Sequence, residues 1–488
     1  MEMNYSEARE YLKNVNKLGS ILGLNTIKEL LKRLGNPQNE LKVVHIAGTN
    51  GKGSIMTFVQ NILMESGYKV GRYCSPAVFN EREIIRINDE YISEKQSADL
   101  LTRIKEKCDS MYSEGLPHPT SFEIETAEAL MFFKEQNCDI ALIECGMGGE
   151  TDATNVFEKV LCSVIATISL DHTQFLGSTI EEITKVKSGI IKENCPVVMS
   201  KQTGEAESVI KKVCKQKNSE LIIPTEQEFK NNKDNNLLDN EKRIYNVNTE
   251  GIENAENVEI DGLTTKVTYK ASNNKEYILN LQALGTYQIK NAKTAVEVAL
   301  VLDKALTEKT NICDESDKNN STGMKNNINN SGNTIEKNIK KGIEKTVWPG
   351  RMEVISKEPL IIIDGAHNPG AVLELRKTLD LYFTNKRITF IMGVLSDKDF
   401  SKEAEIIADR AERIITITPN NSRGLDGHKL AETLVKYNHN VQVADSLKQA
   451  AEESIDTIKE NRADMILAFG SLSYLGELKQ VVRLICNH

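Results

Sequence analysis

The stretch HIAGTNGKGSIMTFV, residues 45–59, sets glycines 48, 51 and 53 around Lys52 and Ser54, between an apolar run and an amphipathic segment. Such residues at such spacing can bind phosphate. Backbone amides at a helix N-terminus attract an anion, a lysine adds a point charge, and a hydroxyl can reach a divalent metal. The general pattern G-x-x-x-x-G-K-[ST] asks for Gly at 46 and Ser or Thr at 53, where Ile46 and Gly53 stand. The alternative reading of the stretch is a tight structural turn. Three other apolar runs end in polar side chains: DIALIECGMGG delivers Glu144, SVIATISLDHTQ delivers Asp171 and His172, and IIIDGAHNP delivers Asp364, His367 and Asn368. Beside a phosphate loop, a carboxylate and an imidazole are candidate magnesium ligands, although His is less usual for so hard a cation. Taken singly, Glu144 reads equally as a capping or salt-bridged carboxylate, His172 as a satisfied histidine at a turn, and Asp364 with Asn368 as an Asx-type cap. Lys185, Lys187 and Lys192 in EEITKVKSGIIK read, on composition, as a solvated basic face.

Groups of this kind need rigid elements behind them. Val43, Val44 and Ile46 predict a buried strand before the loop, and Ile55, Phe58, Val59, Ile62 and Leu63 form one helical stripe after it. Apolar runs alternate with helical periodicity from about residue 40 onward, the signature of parallel sheets covered by helices, whose ligands gather at the carboxyl ends of the strands. Residues 263–281 instead alternate apolar and polar positions around Asn273 and Asn274, which predicts a small antiparallel hairpin. An asparagine-rich tract between Asn311 and Asn333 is too polar to bury a core and reads as a flexible insertion. The expected division is an N-terminal unit over 1–305, a low-complexity linker over 306–336 and a second α/β unit over 337–488.

HIAGTNGKGS, SPAVFNERE, SFEIETAEALMFF, IECGMGGETDATNV, ISLDHTQFLGSTIEEITKVKSGIIK, LGTYQIKNAKTA, WPGRMEV, IIIDGAHNP, GVLSDKD and AFGSLSYLGE follow one another in that order. The set resembles the folylpolyglutamate synthase / dihydrofolate synthase family of the Mur ligase superfamily. The likeness spans most of the chain except about 205 to 260 and the asparagine-rich tract. It implies an N-terminal P-loop ATPase domain with a parallel sheet and a small antiparallel β elaboration, joined to a C-terminal Rossmann-like α/β domain. The implied reaction is ATP-dependent ligation of L-glutamate to folates, and to dihydropteroate, through an acyl phosphate. By the same resemblance, Thr49, Asn50, Gly51, Lys52, Gly53 and Ser54 cradle the triphosphate, and Asn291, Arg351 and Asp364 contact ATP. Ser75, Glu144 and His172 correspond to magnesium ligands, with two metal sites implied, and Lys187 to a lysine carried as N6-carboxylysine. Lys52, Lys187 and His367 are the implied catalytic residues, and Phe122, Glu123 and Asp152 the substrate contacts. Three positions depart from the common pattern: Ala77 stands where many members have His, Glu150 where many have Arg, and Tyr287 where many have His.

A net charge of −9 argues against nucleic acid as an obligatory partner. The charged start and the lack of any long apolar run predict a cytoplasmic protein with no membrane partner. With the family resemblance go the expectations of small-molecule substrates and a monomer. Nine cysteines without a C-x-x-C pair suggest neither a disulfide framework nor a zinc site. Two other readings remain: another Mur-type amide ligase, although the loop lies too early to leave room for the usual UDP-sugar domain, and a P-loop nucleotide-binding switch. The switch leaves the DGAHNP motif unexplained.

Overall fold

The computed structural model describes residues 2–15, 23–225, 243–247, 256–316 and 334–486. The N-terminal apolar runs form one eight-stranded sheet, ordered Glu90–Tyr91, Ile85–Ile87, Val70–Tyr73, Ile140–Glu144, Val43–Ala47, Cys162–Ile165, Val197–Met199 and Leu221–Ile222. Neighbours from Val70–Tyr73 onward are parallel, and the first two strands add an antiparallel hairpin at that edge. Val43–Ala47 is buried along its whole length because helices cover both of its faces. Val44 and Ile46 point into a core shared with the helices Lys52–Glu65 and Thr286–Ser316. Val43 points the other way, toward Glu94–Ser113 and Ser121–Glu135.

The second sheet has six strands, ordered Glu353–Lys357, Leu360–Ile363, Met465–Phe469, Ile388–Met392, Arg413–Thr416 and Val441–Val443, and only the first pairs antiparallel. Both sheets have the α/β form that the alternation predicts. The hairpin around Asn273 and Asn274 pairs Lys270 with Glu276, and Asn274 takes the left-handed turn conformation at φ 62°. It belongs to a four-stranded antiparallel sheet, completed by Arg243–Val247 and Glu256–Asp261. Those two strands escaped sequence reading because they are short and flanked by asparagine- and lysine-rich residues.

The stretch expected to be a flexible linker differs at both ends. Helix Thr286–Ser316 runs through residues 306–316, and helix Ile335–Glu344 begins inside the tract; residues 317–333 lie outside the described residues. Helix Ile335–Glu344 packs on the first sheet's side, not the second's. Ile335, Ile339 and Ile343 recur every four residues and enter the core of the loop helix, and Gly342 lets the backbones meet at Ile62. Among the described residues no helix is long and apolar enough to cross a membrane.

Candidate active site

The loop between Val43–Ala47 and Lys52–Glu65 is built on glycine. Gly48 and Gly51 have φ of 148° and 92°. A Cβ at Gly48 would lie 2.7 Å from Ala166 Cβ, and one at Gly51 2.6 Å from Asn291 Oδ1. The Thr49 and Asn50 amides donate to Thr167 O at 2.8 and 3.0 Å, which fastens the loop to the next strand end. The amides left for an anion are those of Gly51 and of the helix's first turn, from Lys52 onward. Ile46 belongs to the strand, so the turn starts later than the general pattern asks. At position 53 a side chain has no room, since a Cβ would lie 2.8 Å from the Trp348 ring.

Charges converge on this loop. Lys52 Nζ donates to Gly48 O at 3.2 Å and Thr49 O at 3.3 Å, and lies 3.6 Å from Glu144 Oε1. Glu144 Oε2 accepts the Cys74 thiol at 2.6 Å, and Ser75 follows Cys74 directly. The three lysines of EEITKVKSGIIK separate. Lys185 is exposed and pairs with Glu181 at 3.2 Å, Lys192 donates to Asn155 Oδ1 at 2.7 Å, and Lys187 is buried with its Nζ on Gly48 O at 3.0 Å. A solvated face therefore describes Lys185 but not Lys187. Burial, and then the neighbouring Lys52 charge, pull Lys187 from 10.5 down to about 8. His172 opens the short helix Thr173–Leu176 in the left-handed conformation, φ 50°, with its side chain 43% exposed. Burial lowers its pKa and favours the neutral ring.

The second sheet faces the same loop. Asp171 bonds Lys398 Nζ at 2.9 Å, both side chains only 10% exposed. Asn368 Oδ1 caps its helix through Ala371 N at 2.9 Å, while its Nδ2 donates to Asn50 Oδ1 at 3.1 Å and Asp171 Oδ2 at 3.2 Å. The Asx reading holds for Asn368, and the same side chain bridges the two units. Asp364 accepts from Met352 N and Ala366 N at 2.8 Å and from Tyr287 Oη at 2.6 Å. Burial pushes its carboxyl above the ordinary aspartate value, and the Arg351 charge opposes that rise. Arg351 donates to Gly350 O at 3.0 Å and lies over Gly365. Burial, then Lys398, lower His367 to about 4, so its ring is neutral at pH 7. Nδ1 donates to Gly365 O at 2.7 Å, which leaves Nε2 as an acceptor. Asn291 is held by Gln288 Oε1 at 3.1 Å and abuts Gly51.

The residues expected as substrate contacts, Phe122, Glu123 and Asp152, lie in three settings of their own. Phe122 lies against Gly146, beyond the strand that ends in Glu144, and packs on Tyr73 at 6.1 Å between ring centroids. Glu123 is buried and closes a capping box, accepting Thr120 N at 2.7 Å while its own amide donates to Thr120 Oγ1 at 3.2 Å. Its Oε2 serves the helix, whose third position favours an acid, while its Oε1 is buried without a hydrogen-bond partner. Asp152 is buried too, accepting Met147 N at 2.8 Å and Thr154 N at 3.0 Å, and so shapes the glycine turn after Glu144. Asp171 is legible as a strand-end acid, but its partner Lys398 and the Glu144 partner Cys74 are not: Cys74 has only its position just after Val70–Tyr73 as a signal, and Lys398 only its place in GVLSDKD.

The Mur ligase middle domain family matches residues 46–299, and the Mur ligase glutamate ligase domain family matches residues 350–472. The dihydrofolate synthase/folylpolyglutamate synthase of Bacillus subtilis is 30% identical over 485 residues, covering 98% of both chains. The chain belongs to the folylpolyglutamate synthase / dihydrofolate synthase family of Mur ligases. The folylpolyglutamate synthase structure from Thermotoga maritima is 29% identical, covers 98% of this chain and 96% of that one, and superposes with a TM-score of 0.70. An FPGS–AMPPCP–folate complex is 26% identical, covers 98% of this chain and 100% of that chain, and has a TM-score of 0.76. Within this Mur ligase frame, the departures fall in different settings. Ala77 and Glu150 are exposed, whereas Tyr287 binds Asp364.

Proposed function

We propose that this Mur ligase is an ATP-dependent carbon–nitrogen ligase that adds L-glutamate to folates, building tetrahydrofolate polyglutamates, and also joins L-glutamate to dihydropteroate. The observation that carries the reading is one cleft in which Lys52, Glu144 and Lys187 meet Asn368, His367 and Lys398 from the second unit. A carboxylate oxygen is a poor leaving group, so amide formation needs prior activation. The acceptor carboxylate attacks the γ-phosphorus of ATP and ADP leaves with the bridging oxygen. The glutamate amine then attacks the acyl carbon, the carbon–oxygen bond to phosphate breaks, and a proton leaves the nitrogen.

In this reading the first-turn amides of Gly51, Lys52, Gly53 and Ser54 hold the triphosphate, with Thr49 and Asn50 shaping the loop, and Lys52 offsets repulsion between two anions. Asn291, Arg351 and Asp364 grip the nucleotide beside the second unit, and His367 orients the phosphoryl group or amine through Nε2. Phe122 offers the substrate an aromatic ring, while Glu123 and Asp152 act through the walls they brace. Among the described residues no three His, Cys, Asp or Glu side chains converge as a protein-only metal cage. Magnesium keeps waters and nucleotide oxygens, so the buried Glu144 carboxylate beside Ser75 suits it, with His172 as a weaker donor. When bound, the ion supplies charge neutralisation at the phosphoryl oxygens. Lys187, buried and low in pKa, suits carbamylation toward a second ion.

Phosphate release tests the proposal. We expect release with dihydropteroate plus glutamate and with tetrahydrofolate monoglutamate plus glutamate, little without an acceptor, and none from Lys52→Ala. Equal release without acceptor would instead mark a nucleotide switch. Turnover of folate alone would confine the enzyme to polyglutamylation.

A further inference from the structure

Beside the phosphate loop runs a second cleft of about 450 Å³, lined among others by Gln60, Asn61, Arg72, Arg86 and Trp348. Arg72 enters it from the strand Val70–Tyr73, whose Gly71 packs under Phe133 on the opposite face. Arg72 is 2% exposed, its Nε has no hydrogen-bond partner, and its guanidinium stacks on Trp348 at 5.0 Å. Among the described residues no carboxylate stands within ion-pair distance of it. A guanidinium cannot shed its charge, so burying one without an acceptor is costly. Arg86 brings a second cation into the cleft, shared with Glu83 at 3.5 Å. The acid Glu65 is already taken by Lys341 and Lys345 at 2.5 Å. Asp89 also lines the cleft, 3.5 Å from Gln60 Nε2.

Gln60 is the complementary half. It is 1% exposed, its Nε2 donates to Asn88 O at 2.8 Å, and its Oε1 has no partner. One cleft thus holds an unsatisfied cationic donor and an unsatisfied acceptor. A bare anion would satisfy the first and leave the second.

We propose that this cleft binds a carboxylate that carries a neighbouring N–H, as in a free amino acid or a γ-glutamyl chain, with Arg72 taking the carboxylate and Gln60 Oε1 the N–H. The inference concerns this cleft alone and stands or falls apart from the ligase reading. Trp348 is the only tryptophan of the chain, and it forms a wall of the cleft while packing on Gly53.

Its fluorescence gives the test. The full chain, saturated with AMPPCP and magnesium, is titrated with L-glutamate, with γ-linked triglutamate and with inorganic phosphate. We expect a saturable change with at least one of the two amino-carboxylates; the tighter one identifies the source. Phosphate should bind at least about tenfold more weakly. Arg72→Met should abolish the response, Arg86→Gln should weaken it about tenfold, and Lys185→Ala, which removes an exposed cation outside the cleft, should leave it intact. If Arg72→Met does not fold, Arg86→Gln decides. No saturable change, phosphate binding as tightly, an unaltered response in Arg86→Gln, or loss of the response in Lys185→Ala would each overturn the assignment.

Discussion

Lys187 shows what burial does to a single residue here. Burial and Lys52 pull its pKa from 10.5 to about 8, so between those values the native amine is neutral while the unfolded one is protonated. The unfolded state then binds more protons, and stability rises with pH through that window. Lys187→Met keeps the length and removes the titration. We expect the wild type to gain about 2 kcal/mol over this variant between about pH 7.5 and about pH 10, read by urea unfolding in metal-free, bicarbonate-free buffer. A constant difference would remove the basis for a depressed Lys187. The same neutral amine is the form that attacks carbon dioxide. With ¹³C-bicarbonate we expect a carbamate resonance that vanishes in Lys187→Ala, and partial recovery of that variant's turnover by short carboxylates. Absence of both would leave Lys187 as a plain cation on Gly48 O. The sequence could name Lys187 only through the family's motif, because its neighbours Lys185 and Lys192 look alike in composition.

At the scale of elements, the loop departs from the general phosphate-loop pattern because of what packs on it. The Trp348 ring occupies the space a side chain at position 53 would need, 2.8 Å from an added Cβ. Restoring the general pattern with Gly53→Ser should therefore harm the protein, lowering AMPPCP affinity about tenfold or more as the ring or the first turn shifts. Trp348→Ala opens the space, so the double variant should bind better than the sum of the two losses predicts, a coupling measurable by calorimetry. Strict additivity would mean that the ring does not constrain the loop. Nothing in AGTNGKGS shows this, since the constraint comes from a residue far along the chain. What periodicity does show is each strand behind the site: Val43–Ala47, Ile140–Glu144 and Leu360–Ile363 are mainly buried apolar runs, the second ending in Glu144 and the third followed by Asp364. Periodicity also holds the stripe Ile335, Ile339 and Ile343, but the polar tract before it hid which sheet it joins. For Glu123, capping and substrate binding predict the same residue at the same place, so only coordinates separate them.

For the whole molecule, the buried ion pair among the contacts that join the two units is Asp171–Lys398 at 2.9 Å, braced by Asn368 between Asp171 and Asn50, with Tyr287–Asp364 joining them beside it. Burial pushes the Asp171 carboxyl up, but the Lys398 hydrogen bond and charge outweigh it and hold its pKa below the ordinary 3.8. A depressed acid contributes stability at and above its unfolded value and loses it as pH falls through the folded one. The pair is therefore intact at neutral pH and yields only in acid. Both partners are nearly buried, so screening by salt is weak and removal of one strands the other, at a cost of about 3 kcal/mol. If this pair draws the second unit over the phosphate loop, Lys398→Ala should reduce kcat/KM for ATP about a hundredfold. In solution scattering with AMPPCP bound, it should also enlarge the radius of gyration relative to the wild type. Asp171→Ala should do the same, and the double variant should be little worse than either single one, giving a coupling of about 2 kcal/mol. An unchanged scattering profile with full additivity would assign closure to the other contacts between the units, Asn50–Asn368 and Tyr287–Asp364 among them. In that case Asn368→Ala should open the molecule where Lys398→Ala did not.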